Sequence, residues 1–194
     1  DAEKIAPHFH IPLQSGNDEM LKAMRRKYDT QLYENRINLI KSLRPDACIG
    51  VDVIVGFPGE TDEFFNDTLN FLKRLDVSYL HVFTYSERAN TTAKKMIDVV
   101  PMSKRKERSQ ILHLLSDRKK RAFYAKNKNT ERKVLFENED NSGMMYGFTE
   151  NYVKIKIPYQ ENLTNTIQSV SLTELDRDII YKSELITTSK QNLN

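Results

Sequence analysis

The stretch Val51-Asp52-Val53-Ile54-Val55-Gly56-Phe57-Pro58-Gly59-Glu60-Thr61 sets the reading of everything around it. Apart from Asp52, its first five residues are apolar and β-branched, the texture of a strand buried on both faces in a parallel sheet. Gly56 and Gly59, with Pro58 between them, then break the run. Glycines at the carboxyl end of a strand let a ligand approach bare backbone. Thr61 is placed to cap a helix, and Asp62 and Glu63 suit its positive end. Strand, glycine turn and capped helix in that order make the ligand-binding corner of parallel α/β proteins. A purely structural βα turn has the same pattern, so the corner alone leaves both readings open.

Upstream, residues 5–13 read as a strand, with His8 and His10 on one face and Phe9 and Ile11 on the other. Asn17 caps a short helix in which Leu21 and Met24 face inward, closed by Arg25-Arg26-Lys27. Thr30 caps a second helix with Tyr33, Ile37, Ile40 and Leu43 at helical spacing, and Pro45 stops it. Past Thr61, Phe64, Thr68, Leu69, Leu72 and Leu75 form a mostly apolar stripe. Tyr79-Leu80-His81-Val82-Phe83-Thr84-Tyr85 is a third strand, followed by the polar turn Ser86-Glu87-Arg88-Ala89-Asn90-Thr91. Strands and helices alternating this way mean parallel βαβ units with right-handed crossovers. Three strands are too few to close an eight-stranded barrel, so half of one or a small open sheet is expected.

Charge is unevenly spread over the 194 residues. Residues 1–102 carry 13 Lys/Arg against 15 Asp/Glu, residues 103–133 carry 12 against 3, and residues 134–194 carry 5 against 9. The basic block falls on a helix expected over 103–127, with Ile111, Leu114, Leu115, Ala122 and Phe123 as its apolar face. A merely solvated helix mixes Glu with Lys, so this imbalance marks a candidate phosphate-binding face. Beyond residue 131 the texture changes to short β-rich runs over 133–137, 152–157, 166–172 and 178–186, with turns at Asn141-Ser142-Gly143 and Glu161-Asn162. That spacing suggests a small antiparallel barrel. The expected division is 1–127, 128–188 and a disordered tail over 189–194.

Cys48 is the only cysteine, which suits a reducing compartment and a small apolar packing role. One thiolate cannot hold an iron–sulfur cluster, which takes about four. No apolar run reaches the roughly 18–20 residues of a membrane span, and no signal peptide is visible. A cytoplasmic monomer is expected.

Three ordered stretches carry a resemblance: His10-Ile11-Pro12-Leu13-Gln14-Ser15-Gly16, the stretch from Asp52 to Thr61, and Tyr85-Ser86-Glu87-Arg88-Ala89-Asn90-Thr91. Together with Met24-Arg25-Arg26, Val99 and Lys104-Arg105, they resemble the radical S-adenosylmethionine tRNA methylthiotransferases. Ser86-Glu87-Arg88-Ala89-Asn90-Thr91 is similar to the branch acting on threonylcarbamoyladenosine beside the anticodon. The resemblance implies a partial TIM-type barrel, the C-terminal half of a radical SAM core, followed by a TRAM barrel that binds RNA. It implies that a reduced four-iron cluster cleaves S-adenosylmethionine to a 5′-deoxyadenosyl radical and that a methylthio group is placed on the adenine carbon. A second cluster serves the sulfur step. Both cysteine sets lie in the family before the His-Ile-Pro-Leu-Gln-Ser-Gly motif, and here nine residues precede His10. The chain is therefore expected to be the C-terminal part of a longer enzyme, inactive alone and holding neither cluster. Gly143 and Gly147 are also fewer glycines than a TRAM domain leads one to expect.

Residue by residue, Gln14 and Asp52 are the candidates for the polar parts of S-adenosylmethionine, because a charge inside an apolar strand wants a partner. Structural hydrogen bonding is the competing role. Gly56 would admit adenine to the backbone, with Ile54 or Val55 packing on the ring, and Phe83 and Tyr85 flank adenine or fill core. Arg26 either pairs with the ligand carboxylate or complements the helix dipole. For tRNA, Lys104, Arg105, Arg108, Arg118, Lys119, Lys120 and Arg121 form the phosphate-facing surface. Lys133, Lys154 and Lys156, among Tyr146, Phe148 and Tyr152, extend it on the barrel. A histidine pair two apart is also a metal-ligand pattern. With His81 mid-strand and His113 on the basic helix, no convergent set is expected, and no metal site is assigned. The rival from another class is an RNA-binding module without catalysis; within the family, the isopentenyladenosine or ribosomal-protein branches are the alternatives.

Overall fold

The structure, a computed structural model, describes residues 5–87, 98–139 and 143–186. Arg88-Ala89-Asn90-Thr91, the turn residues Asn141 and Ser142, and the tail over 189–194 lie outside those residues. The chain divides into two units, residues 9–120 and residues 121–194 with 1–8.

The first unit is built on a three-stranded sheet in the order β1 (His8–His10), β2 (Cys48–Val55), β3 (Tyr79–Thr84). β2 and β3 run parallel, with Asp52 opposite His81 and Ile54 opposite Phe83. β1 is shorter than the expected 5–13. Pro7 and Pro12 bracket it, and proline has no N–H for the ladder. Pairing resumes beyond Pro12: Leu13 and Gln14 donate to the Asp52 carbonyl, and Ile54 donates to the Gln14 carbonyl.

Among the described residues, four α-helices accompany these strands. α1 (Asp18–Ala23) is capped by Asn17, whose side chain accepts from the Met20 N–H, and Met20 is buried beside Leu21. α2 (Thr30–Leu43) is capped by Asp29, not Thr30, and Leu43 is exposed rather than inward. α3 (Asp62–Arg74) is capped by Thr61 as its sequence implies, but it buries Phe65 and Phe71 rather than Phe64. α4 (Met102–Lys126) buries Leu112, Ser116, Phe123 and Tyr124, while Leu114 is exposed. Tyr33 and Ile37 of α2, Phe65 and Phe71 of α3 and Leu112 of α4 pack on Val51, Val53 and Val55, which point to one face of β2. Asp52 and Ile54 point to the other face, where they are only half-buried and where His81 and Phe83 are exposed. Within the described chain, β2 is thus buried on one face, not two.

The second unit holds a closed barrel of five strands in the order β4 (Glu131–Glu139), β5 (Met144–Thr149), β6 (Lys154–Pro158), β8 (Tyr181–Leu185) and β7 (Ile167–Leu175). β5 is the strand missing from the sequence expectation. Its Gly147 sits mid-strand, where β4 comes too close for a side chain. A Cβ there would lie 2.5 Å from Val134 Cγ1 and 2.6 Å from the Leu135 carbonyl oxygen. Val134, Phe136, Met145, Ile155, Leu172 and Tyr181 fill the interior. Tyr181 Oη donates to the Tyr124 carbonyl at 2.7 Å, and Asn127 and Asn151 are buried and bonded to each other at 2.9 Å.

Candidate functional site

The uncovered face of the sheet and the carboxyl ends of its strands carry most of the residues singled out for the cofactor. Gln14 closes the turn after β1 and is nearly buried, with φ at +76°. A non-glycine residue in that region is strained and is held there by its surroundings. Its backbone is bonded on both sides to β2, so strain and position have one cause. Ile54 and Phe83 are neighbours across β2 and β3 and present an apolar surface, Phe83 being 53% exposed. Arg26 is exposed after α1.

Asp52 has its partner inside the chain. His10 Nε2 lies 2.7 Å from Asp52 Oδ1, and His10 stacks on His81 with centroids 5.1 Å apart. Tyr79 meets His81 edge-on at 5.0 Å. The Tyr79 ring lies across Gly50, where a Cβ would be 2.5 Å from its hydroxyl oxygen. The donor atoms of His10, Asp52 and His81 all lie within 4.8 Å of one another. A convergent set therefore exists where none was expected. His8 is not in it. The signal was in the sequence only as an unmade pairing, since the register that sets Asp52 beside His81 has to be known first.

The glycine corner is occupied from within. Gly56 has φ at +76°, and a Cβ on it would collide with the Arg105 stem, 2.8 Å from Cδ. The close approach expected for adenine at that side of Gly56 is made by Arg105. Its guanidinium bonds the carbonyls of Val100 and Tyr85 and the Glu87 carboxylate at 2.6 Å. That bond holds the Glu87 carboxyl below its ordinary range. Tyr85 packs against Phe57 at 5.3 Å, and among the described residues its buried hydroxyl takes no hydrogen bond. It belongs to this corner and not to the open face.

Arg105 and Arg108 must also be removed from the phosphate-facing surface: they are 2% and 4% exposed. Arg108 bonds the Glu60 carboxylate at 2.6 Å and Asp62 at 2.8 Å. Burial raises the Glu60 carboxyl, opposed by the Gly56 N–H and Arg108. The excess of cations on α4 is thus partly answered by acids some 46–48 residues away in sequence. Lys104 reaches Asp62 and Glu107, and Lys119 donates to the Leu75 carbonyl at 2.7 Å. Arg118 and Arg121 are exposed, Arg121 donating to the Arg177 carbonyl, and Lys120 is half-buried. A cleft of about 570 Å³ opens beside this corner between Gly59 and Lys104.

On the barrel, Lys133 is exposed and Lys154 lies 4.5 Å from the centre of the Tyr146 ring. Phe148 and Tyr152 stack at 4.7 Å. Lys156 is paired with Asp176, which raises its pKa. Cys48 is buried, and burial pushes its thiol up to about 11.

Residues 2–72 match the Radical SAM superfamily. The chain is 46% identical over 154 residues to the threonylcarbamoyladenosine tRNA methylthiotransferase of Aquifex aeolicus, covering 79% of this chain and 36% of that protein. It is 38% identical over 175 residues to the protein of the same name in Bacillus subtilis, covering 88% and 39%. It is 42% identical over 155 residues to the tRNA-2-methylthio-N(6)-dimethylallyladenosine synthase of Endomicrobium trichonymphae, covering 78% and 36%. The chain thus spans well under half the length of these curated relatives. Residues 2–72 thus carry the Radical SAM match, and over most of its own length this chain is similar to tRNA methylthiotransferases.

Proposed function

We propose that the chain is the C-terminal part of an enzyme that adds a methylthio group to N6-threonylcarbamoyladenosine next to the anticodon of tRNA. The observation that carries this reading is the uncovered sheet face, where Asp52, Ile54 and Phe83 lie together beside the Gln14 turn, whose backbone is bonded to β2. A nucleoside needs an apolar surface for its ring and a few fixed polar groups at its edge. Ile54 and Phe83 supply the first, and the strained Gln14 turn and Asp52 supply the second. Arg26 is the candidate for the amino-acid carboxylate. When bound, S-adenosylmethionine supplies a 5′-deoxyadenosyl radical on reduction by an iron–sulfur cluster. This chain does not fit such a cluster, because its one thiol is buried and held protonated. The clusters are therefore assigned to the rest of the protein, and the chain alone is inactive. The barrel is read as a TRAM-type module, with exposed Lys133, half-buried Lys154 and the Phe148–Tyr152 stack as its RNA-facing group.

The 42% identity to a dimethylallyladenosine enzyme supports a second branch as the alternative. Nucleoside mass spectrometry separates them. The longer protein, with its iron–sulfur clusters reconstituted, is incubated with tRNAs carrying one or the other modified adenosine. A methylthio group on threonylcarbamoyladenosine supports the proposal. Reaction of only the dimethylallyl nucleoside overturns the branch, and reaction of neither overturns the enzyme.

A further inference from the structure

We propose that His10, Asp52 and His81 form a divalent-cation site of the two-histidine, one-carboxylate kind on the open face of the sheet. Each ligand stands on a different strand, so the spacing is set by the sheet itself. Asp52 and His81 are register partners, and β1 runs along the other side of β2. The three donor atoms lie within 4.8 Å of one another. In a tetrahedral zinc site, bonds of about 2.0–2.1 Å place donors roughly 3.3 Å apart, so a modest swing of the imidazoles closes the set. His10, bonded to Asp52 on one side, has room to swing on the other, its side chain being 43% exposed.

The surroundings favour a cation over a plain hydrogen-bonded pair. His81 is exposed, and among the described residues its ring nitrogens take no hydrogen bond, although the ring is held by Tyr79 and His10. Gly50 leaves the space in which Tyr79 lies, so that ring props His81 toward Asp52. Two imidazoles and one carboxylate suit zinc, cobalt, nickel or ferrous iron, whereas magnesium and calcium want oxygen. Three protein ligands on an open face leave a coordination position for water or a small ligand. Asp52 also serves the cofactor reading above. The test therefore uses metal alone, and its failure leaves that reading standing.

The full chain, without an affinity tag and stripped by chelator, is titrated with Co²⁺ and followed by its visible absorption. The expected result is saturation at one ion per chain, displacement by Zn²⁺, and no displacement by a hundredfold excess of Mg²⁺. His10→Gln and His81→Gln each weaken binding by at least tenfold, while His113→Gln on α4 leaves it unchanged. Both histidines of the site are exposed, so the variants keep the parent far-UV circular dichroism. If either one fails to fold, the other decides. Absence of a saturable one-to-one signal overturns the proposal, as does binding by both variants at parent affinity.

Discussion

Removing Arg108 tests whether the basic helix is a structural element or a phosphate-facing one at its N-terminal end. Arg108 and Glu60 are a buried pair, their side chains 5% and 2% exposed, joined at 2.6 Å. The guanidinium also bonds the Glu60 carbonyl at 3.0 Å and lies over the Phe65 ring at 5.3 Å. Arg108→Met keeps most of the stem and removes the charge. Glu60 is then a buried carboxylate whose remaining hydrogen bond comes from the Gly56 N–H. Stranding one partner of a buried pair costs about 3–5 kcal/mol, a drop of roughly 2 M in urea midpoint at about 2 kcal/mol per M. The loss is smaller at pH 5 than at pH 7. Burial already raises the Glu60 carboxyl, and without Arg108 it rises further, so the folded variant escapes by taking a proton. That escape becomes about 1.4 kcal/mol easier per pH unit lowered. Glu60→Gln in the same chain restores half or more of the loss, because an amide oxygen still accepts from Gly56. Urea unfolding followed by circular dichroism reads all three. A change no larger than that of exposed Arg118→Met, expected within about 0.5 kcal/mol, would refute the assignment.

The remaining expectations are independent of that pair. Gly147→Ala destabilises the barrel by about 1–3 kcal/mol, since its Cβ meets β4 backbone and Val134, and a thermal melt indistinguishable from the parent contradicts this. Cys48 adds a pH dependence. Its folded thiol is near 11 against 9.0 ordinarily, so stability is full below pH 9 and falls between 9 and 11 as only the unfolded chain ionises. Cys48→Ala removes that part of the alkaline decline, worth about 3 kcal/mol, and an identical decline in both chains contradicts it. Arg118→Glu with Arg121→Glu weakens tRNA binding and flattens its salt dependence by roughly 1.5 in log–log slope, which filter binding across salt concentrations measures. An unchanged slope means the exposed end of α4 does not meet phosphate.

The alternation of strands and helices was legible because each strand is a short β-branched or aromatic run and each helix has its own polar start. Asn17 and Thr61 cap as their positions imply. The misplacements share a cause. α4 carries charge all round, so its sequence marks Leu112 no more strongly than Leu114, and only tertiary packing chooses between them. Arg105 and Arg108 look like the other cations of α4 until Glu60, Asp62 and Glu87 fold against them. β5 was hidden because what calls for a glycine at 147 is the close approach of β4, which no local pattern shows. His10, Asp52 and His81 belong to three separate segments, and what unites them is strand register, which no local pattern encodes.

The central claim is that the open face of β1, β2 and β3 receives the nucleoside of the cofactor. Ile54 and Ile37 make it testable, one on that face and one fully buried on α2 behind the sheet. With isoleucine methyl groups labelled, the chain is titrated with S-adenosylmethionine into the millimolar range and followed by NMR. The account predicts a saturable shift of the Ile54 methyl while Ile37 stays in place. A silent Ile54, with shifts confined to other residues or absent, contradicts it.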